Sequence, residues 1–390
     1  MLASTSELLT AIPEEPTTRL TKIHATLGPA SSDLETIRGM LEAGMDACRL
    51  NMSHCSHMLG RQIVGHVRSA AADHEQSVAI GVDLKGPKLR VGDVVGGSVR
   101  LEPGAPLLIT SEPRLSDSTT LSVDYKYLAS DVRPGDPVLL NDGFIVLRVE
   151  EVHELDLACT VVTGGLLSSR KGVNLPSIPL RVPSLTEKDL EDMAFAVDAG
   201  ADFLYVSYAR SAEHIREVRE AVRRLGHDLP IVAKIERREG VDRLQEIVGE
   251  ADAICVARGD LGIEVPLGMV PWIQQAASRL CRQAGKFAMN GGQLLSSMVS
   301  NPLPLRAEVS DLATVVRDGL DAVVLSDETA IGAYPVETVR TASQIFEIAE
   351  THELEDKIRE SHRRPAIDAA PRIDGQRWLS AWRDRQLMDR

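Results

Sequence analysis

A closed (β/α)8 barrel carrying a small all-β insertion is the fold class this sequence predicts. Three observations predict it. Eight short β-rich runs recur along the 390 residues. Amphipathic helical patterns separate most of them, and strand–helix alternation implies parallel strands joined by crossover helices. The alternation breaks once, between about Lys85 and Pro183, where short β-like runs sit among Gly, Pro and Asp turns.

The eight runs are Lys22–Leu27, Ala47–Ser53, Val78–Leu84, Phe203–Ala209, Ile231–Glu236, Ala253–Gly259, Phe287–Gly292 and Ala322–Asp327. Helical patterns between them include Asp33–Ala43, Ala212–Arg224, Gly240–Val248 and Pro266–Ala284. Eight units suit a closed barrel. An open doubly wound sheet is the rival, but the first run is not followed by G-x-G-x-x-G. The insertion shows strand-like runs at Ser98–Leu101, Leu107–Thr110, Pro137–Leu140, Ile145–Val149 and Ala158–Val162, and no convincing helix. The expected organisation is a barrel over 18–84 and 184–350, a β-domain lid over 85–183 after the third strand, and a short tail over 351–390. The tail starts helical, then becomes Pro- and Arg-rich, with Trp378 and Trp382.

Composition narrows the function. With 43% hydrophobic and 26% charged residues the chain is an ordinary globular protein, not a disordered, collagenous or coiled-coil one. A net charge of −14 with 3% aromatics argues against nucleic acid or an anionic membrane as partner. No apolar run approaches the roughly 20 residues of a membrane span. The first residues lack the basic region and apolar core of a secretory signal. The five cysteines form no C-x-x-C pair and read as reduced thiols of a cytoplasmic protein.

In such barrels the functional groups lie at the C-terminal ends of the strands. The fifth run reads IVAKIE, so Lys234 and Glu236 share one face. Charges there are costly unless paired or bound. The sixth ends ICVARGD and brings Asp260 beside Glu236, a two-carboxylate site for Mg2+ or Mn2+. The bland alternative is an ion network that only holds the barrel. The second run ends RLNMS, placing Arg49, Asn51 and Ser53 on one face, where a guanidinium suits a phosphate or carboxylate. His54 follows and, taken alone, is a loop histidine. The turn LGPASS could open a helix whose N–H groups face an anion. The stretch DLKGPKLR puts Asp83, Lys85, Lys88 and Arg90 at a hinge beneath the lid, and Arg170–Lys171 would bring positive charge down from it. Arg49, Arg90, Lys171 and Lys234 beside two carboxylates point to a phosphorylated anion, even in an acidic protein.

TKIHATLGPASS, AGMDACRLNMSH, DLKGPKLRVG, RKGVNLP, SLTEKD, AKIERREGV, VARGDLGIEVP, NPLPLRAEVSD and SDETAIGAYP follow one another in the order of a known family. Over roughly residues 18–350 the chain resembles the pyruvate kinase family. The resemblance implies phosphoryl transfer between phosphoenolpyruvate and ADP, a Mg2+-bound enolate, and its protonation to pyruvate. It implies Glu236 and Asp260 as divalent ligands, and Lys234, Arg49, Ser326 and Glu328 as catalytic residues. The stretch Ala257, Arg258, Gly259 and Asp260, with Gly292, would bind substrate. Pro29, Arg49, Asn51, His54, Arg90 and Lys171 would line the nucleotide site. Asn51, Ser53, Asp83 and the carbonyl of Leu84 match the family's potassium site. Lys88 stands where potassium-dependent members carry Glu, so its ammonium is expected to replace potassium.

Departures from the family accompany the resemblance. Its T-Q-M-L-E-S-M motif reads GQLLSSM here, so Gly292 replaces a threonine that contacts substrate. Its S-G-E-T-A-K-G motif reads SDETAIG, introducing Asp327 and Ile331. Leu59 stands where some members stack an aromatic ring on adenine. The family's C-terminal regulatory domain is not expected, and a homodimer or higher homo-oligomer would pair through the barrel. The readings carried forward are a pyruvate kinase-type phosphotransferase, a paralogue using the same metal–enolate site on a different keto or phospho-enol acid, and a non-catalytic metabolite-binding paralogue.

Overall fold

A computed structural model of the chain describes residues 19–361. Trp378, Trp382 and most of the expected tail lie outside the described residues. Eight strands run in chain order: β1 (Lys22–Thr26), β2 (Ala47–Asn51), β3 (Ala79–Leu84), β4 (Phe203–Val206), β5 (Ile231–Ile235), β6 (Ala253–Ala257), β7 (Phe287–Gly291) and β8 (Ala322–Leu325). They close into one parallel barrel, in which β8 pairs with β1 through Lys22↔Ala322 and Ala25↔Leu325. The open doubly wound alternative is excluded by that closure. The strands are one to three residues shorter than the runs read from the sequence.

The outer layer is built by α1 (Leu34–Glu42), α2 (His57–Asp73), α3 (Glu187–Asp198), α4 (Ala212–Arg224), α5 (Leu244–Glu250), α6 (Val270–Ala284), α7 (Arg306–Arg317) and α8 (Pro335–Ser361). The α4 segment shows why these residues choose helix. Ser211 caps it by accepting from the His214 amide, and Glu213 lies in its first turn. Arg223 and Arg224 close it, each charge complementing the helix dipole. Ile215, Val218 and Val222 recur at helical spacing and are buried against the barrel. The Gly240–Val248 pattern resolves as a short turn, Arg238–Asp242, followed by α5.

The turn LGPASS does not open an anion site. Its helix, α1, is capped by Asp33, whose carboxylate accepts from the Thr36 amide, with Glu35 in the first turn. A negative charge already occupies that N-terminus.

Within the barrel, Phe203, Tyr205, Cys255, Met289 and Val324 point inward and form a closed apolar plug. Gly81 on β3 makes room for it. A Cβ at Gly81 would lie 2.5 Å from Phe203 and 2.7 Å from Tyr205.

The insertion is a β-domain with its own core, from Leu89 to Leu180. Six strands take the order Val173–Asn174, Pro137–Leu140, Ile145–Val152, Asp156–Thr163, Pro106–Thr110, Thr120–Ser122. Ser98–Leu101 pairs separately with Gly165–Ser168. Burial alternates along Asp156–Thr163, the period of a half-buried strand. The expectation of no helix here needs correction: Leu128–Asp131 forms one α-turn and Val95–Gly97 a 3-10 turn. Both are too short to show a helical period.

Two barrel arginines hold the returning strap of the lid. Arg210 donates to the carbonyls of Leu180 (3.3 Å) and Val182 (3.2 Å). Buried Arg237 donates to the carbonyls of Leu175 (3.4 Å) and Ile178 (3.0 Å). No helix among the described residues is long and apolar enough to cross a membrane.

Gly81→Ala forces the Phe203 and Tyr205 rings apart and should destabilise the fold by about 1–3 kcal/mol, the cost of overpacking. Denaturant unfolding measures it, and an unchanged midpoint would contradict the packing described.

Candidate active site

The C-terminal ends of the strands gather charge as the alternation of side chains requires. Buried Asp83, on β3, is the hub. Arg49 Nε on β2 donates to Asp83 Oδ2 at 2.7 Å, and Lys234 Nζ on β5 lies 3.2 Å from the same oxygen. Lys234 also reaches Glu236 Oε1 at 3.0 Å and the Ser207 hydroxyl at 2.9 Å. Glu236 Oε2 accepts from the Tyr208 amide at 2.6 Å.

Burial opposes the charged form of Asp83, but Lys234 and Arg49 outweigh it and hold its carboxyl below the ordinary carboxylate range. Burial likewise opposes the Lys234 ammonium, yet Asp83 and Glu236 raise its pKa above that of a free lysine. Glu236 goes the other way. Burial raises its pKa, the Lys234 charge opposes this, and Asp260 and Asp83 add to the rise.

Two cavities open at this end of the barrel. The first, about 120 Å³, is lined by Lys234, Glu236, Asp260, Ala257, Gly259 and Gly292, with Tyr205, Cys255 and Val324 also on its wall. The second, about 460 Å³, is lined by Pro29, Asn51, His54, Leu59, Asp327 and Ile331 among others. Arg49 and Ser326 line both.

A seven-residue helix, Arg258–Glu264, starts at the wall of the first cavity, so the N–H groups of its opening turn lack intrahelical partners. Gly292, at φ +95°, stands over them. A Cβ there would lie 3.0 Å from the Gly259 nitrogen. The glycine therefore keeps these amides accessible, and a threonine would meet both backbone strain and that nitrogen. The Arg258 guanidinium fixes the same loop, pairing with Asp311 (2.8 Å) and donating to the Gly292 carbonyl (2.9 Å).

Glu236 and Asp260 fit a divalent ion. They line one cavity, and the pKa of Glu236, raised first by burial and then by Asp260 and Asp83 against the charge of Lys234, marks a buried carboxylate whose ionised form a cation would stabilise. Among the described residues no group of three or more His, Cys, Asp or Glu could hold a metal. Two carboxylates are the donor set of an ion that takes its remaining oxygens from water and a phosphorylated substrate.

Several expected residues are placed otherwise. Lys88 does not sit at Asp83. Its ammonium lies 2.9 Å from Asp260 Oδ1 and 4.0 Å from Asp142 of the lid. Asp83 already has Arg49 and Lys234, so the lysine finds an acid with a free oxygen. Asn51 Oδ1 accepts from the Ser53 amide at 3.1 Å, and Ser53 and Leu84 line neither cavity. Glu328 lines neither cavity. It is buried with Oε1 unpartnered, and its pKa is raised by burial and by Asp327. Arg90 and Lys171 line neither cavity. Arg90 donates to the Arg170 carbonyl (2.9 Å), Arg170 pairs with Asp93 (2.8 Å), and Lys171 is exposed.

Three polar groups escaped sequence reasoning. Thr26 Oγ1 accepts from Arg49 at 2.7 Å, Ser207 joins Asp83 to Lys234, and the Tyr208 amide meets Glu236. Thr26 and Ser207 lie at strand ends, where the barrel rule could have found them. Tyr208 depends on a positive φ of 56° that no residue type announces.

Fold and site together define a lidded (β/α)8 barrel with a cavity at its mouth lined by charges of both signs. The family model for the pyruvate kinase barrel domain matches residues 18–339. The chain belongs to the pyruvate kinase family. It is 41% identical over 352 residues to pyruvate kinase 2 of Synechocystis, covering 89% of this chain and 60% of that protein. It is 41% identical to the pyruvate kinase of Thermococcus litoralis, covering 90% of this chain and 74% of that one. With that of Clostridium perfringens it shares 39% identity, over 85% of this chain and 70% of that protein.

Lys88→Met frees Asp260 of its counter-ion. Mn2+ should then bind about threefold or more tightly, in keeping with the modest worth of a part-exposed ion pair. Electron paramagnetic resonance of free Mn2+ reads this, and weaker binding would show that Lys88 assists the metal.

Proposed function

We propose that the chain transfers a phosphoryl group between phosphoenolpyruvate and ADP, using Mg2+ or Mn2+ at Glu236 and Asp260. The observation that carries this reading is the meeting of two cavities at Arg49 and Ser326. One has the size and polarity for a small phosphorylated acid, the other for a nucleotide, and the shared wall is where a group would pass. Family membership supports the same reaction class.

The substrate carboxylate accepts from the amides of Arg258, Gly259 and Asp260. The phosphoryl group lies at the junction, facing Arg49 and Lys234. A terminal phosphate oxygen of ADP attacks phosphorus. The bond from phosphorus to the enol oxygen breaks, and its electron pair stays on that oxygen. The enolate then takes a proton at C3 and becomes pyruvate. A bound divalent ion supplies positive charge that neutralises phosphate and enolate. Lys234, kept charged by Asp83 and Glu236, stabilises the transferring group without a proton change. Ser326, which lines both cavities, relays the proton in this reading, and Glu328 acts behind it rather than on substrate. Arg90 and Lys171 reach the nucleotide only when the lid moves inward.

Potassium is proposed to be dispensable, because Lys88 supplies a fixed charge at the rim and Arg49 and Lys234 satisfy Asp83. A homodimer or higher oligomer through the barrel is proposed from Leu267, Trp272, Leu303 and Leu305, apolar side chains exposed beyond β6 and β7. Five free cysteines suit a reducing, cytoplasmic compartment.

A second reading keeps the scaffold but changes the acid. The Gly291–Gly292 wall presents no side chain to select among acids, and the form this reading takes is a phospho-enol acid with a different C3 substituent. Turnover of such a substrate in preference to phosphoenolpyruvate would favour it.

In a coupled assay with phosphoenolpyruvate, ADP and Mg2+, Lys234→Met should lower kcat by about 10²–10³ or more. The wild type should run at full rate in sodium-only buffer. Absent turnover, an unaffected variant, or strong activation by potassium would each remove the corresponding claim. Trp272→Asp should lower the mass seen by sedimentation, and an identical mass for both proteins would place the interface elsewhere.

A further inference from the structure

The second cavity is not lined as a phosphate site. Beyond the shared Arg49, which is committed to Asp83 and Thr26, the only formal charge lining it among the described residues is the carboxylate of Asp327. His54 also lines it, and burial and then the charge of Arg90 push its pKa below the ordinary value. Pro29, Leu59 and Ile331 make much of the rest apolar. Asp327 itself is exposed and makes no ion pair among the described residues. It follows Ser326 in the chain but belongs to the second cavity alone.

This distribution orients a ligand. Its anionic end must lie at the junction with Arg49, and its uncharged body must fill the second cavity. An ionised carboxylate only accepts hydrogen bonds, and it repels phosphate. The part of the ligand beside Asp327 must therefore carry neutral hydrogen-bond donors. In a nucleoside diphosphate such donors are the sugar hydroxyls and the exocyclic amine of a base such as adenine. Asp327 follows Ser326 at the junction where the anionic end lies, so the sugar is the part beside it, with the base left to the apolar wall.

We propose that Asp327 is the sugar-reading residue of this site, accepting from the ribose hydroxyls of the nucleoside diphosphate and so selecting ribonucleotides over deoxyribonucleotides. The proposal rests on the second cavity being the nucleotide site of the proposed reaction, and it adds which part of the nucleotide is recognised and by what.

The test compares ADP, 2′-deoxy-ADP and 3′-deoxy-ADP on the full chain, by KM and kcat in the coupled assay and by calorimetric binding. In the wild type at least one deoxy analogue should bind about tenfold more weakly, the scale of a hydrogen bond to a charged group, with the loss in KM rather than kcat. Asp327→Gly should erase that preference, and Asp327→Asn, which keeps an acceptor oxygen, should retain part of it. Thermal melts establish that both variants fold. Equal affinity of the wild type for all three nucleotides overturns the proposal. So does a variant that binds all three more tightly, which would mean that Asp327 merely repels phosphate. Ribose-selective binding without turnover keeps the sugar contact and removes the reaction, whereas no nucleotide binding at all removes both.

Discussion

The buried carboxylate of Asp83 is the constraint on which the mouth of the barrel depends. It is 1% exposed and lies between a guanidinium from β2 and an ammonium from β5, with a hydroxyl from the end of β4. Four strands are thus tied through one anion. Such a cluster is poor evidence for stability. Well-packed apolar residues can hold a core equally well, while removal of one partner costs roughly 3–5 kcal/mol through the charge left behind. Its value is positional. Arg49 and Lys234 stay charged, fixed and aimed into the cavity, and reorganisation during a reaction is avoided.

The lid is joined to this arrangement by the same economy of charge. Arg210 and Arg237 leave the ends of β4 and β5 and bind carbonyls of the descending strap. Lys88, on the ascending side, bridges lid Asp142 and barrel Asp260. The two tethers are therefore anchored to the strand ends that line the first cavity. A Cβ on Gly172 of the opposite tether would lie 3.0 Å from Lys88 Cε, so the glycine leaves room for the lysine stem at the hinge.

Much of this was legible in the sequence, for reasons that also explain what was not. Strand placement follows from β-rich runs separated by helical patterns. Lys234, Glu236, Asp260 and Arg49 were found because charge at the carboxyl end of an apolar strand has few structural uses. A long flexible side chain in a hinge is different. Lys88 can reach several acids, and only coordinates say that Asp83 is already satisfied. Glu328 shows a second limit: its position after β8 was readable, but not that the turn buries it away from both cavities. The strands Thr120–Ser122 and Val173–Asn174 show a third. Two or three residues cannot display a period, and their pairing is dictated by neighbours distant in the chain.

The charges of the first cavity and its rim balance. Arg49, Lys234 and Lys88 oppose Asp83, Glu236 and Asp260, three cations against three anions. A dianionic phosphate arriving alone meets carboxylates at close range, and a divalent cation arriving alone meets ammonium groups. Together they enter with little change in net charge, each contacting the side chains of opposite sign. The second cavity has no such balance, because among the described residues that line it the one charge without an ion pair is Asp327. For a nucleotide bound as proposed, a site that is neutral where the ions meet and acidic where the sugar lies separates its two ends by electrostatics alone. Orientation along the line from Arg49 to Asp327 then follows before any base-specific contact is made.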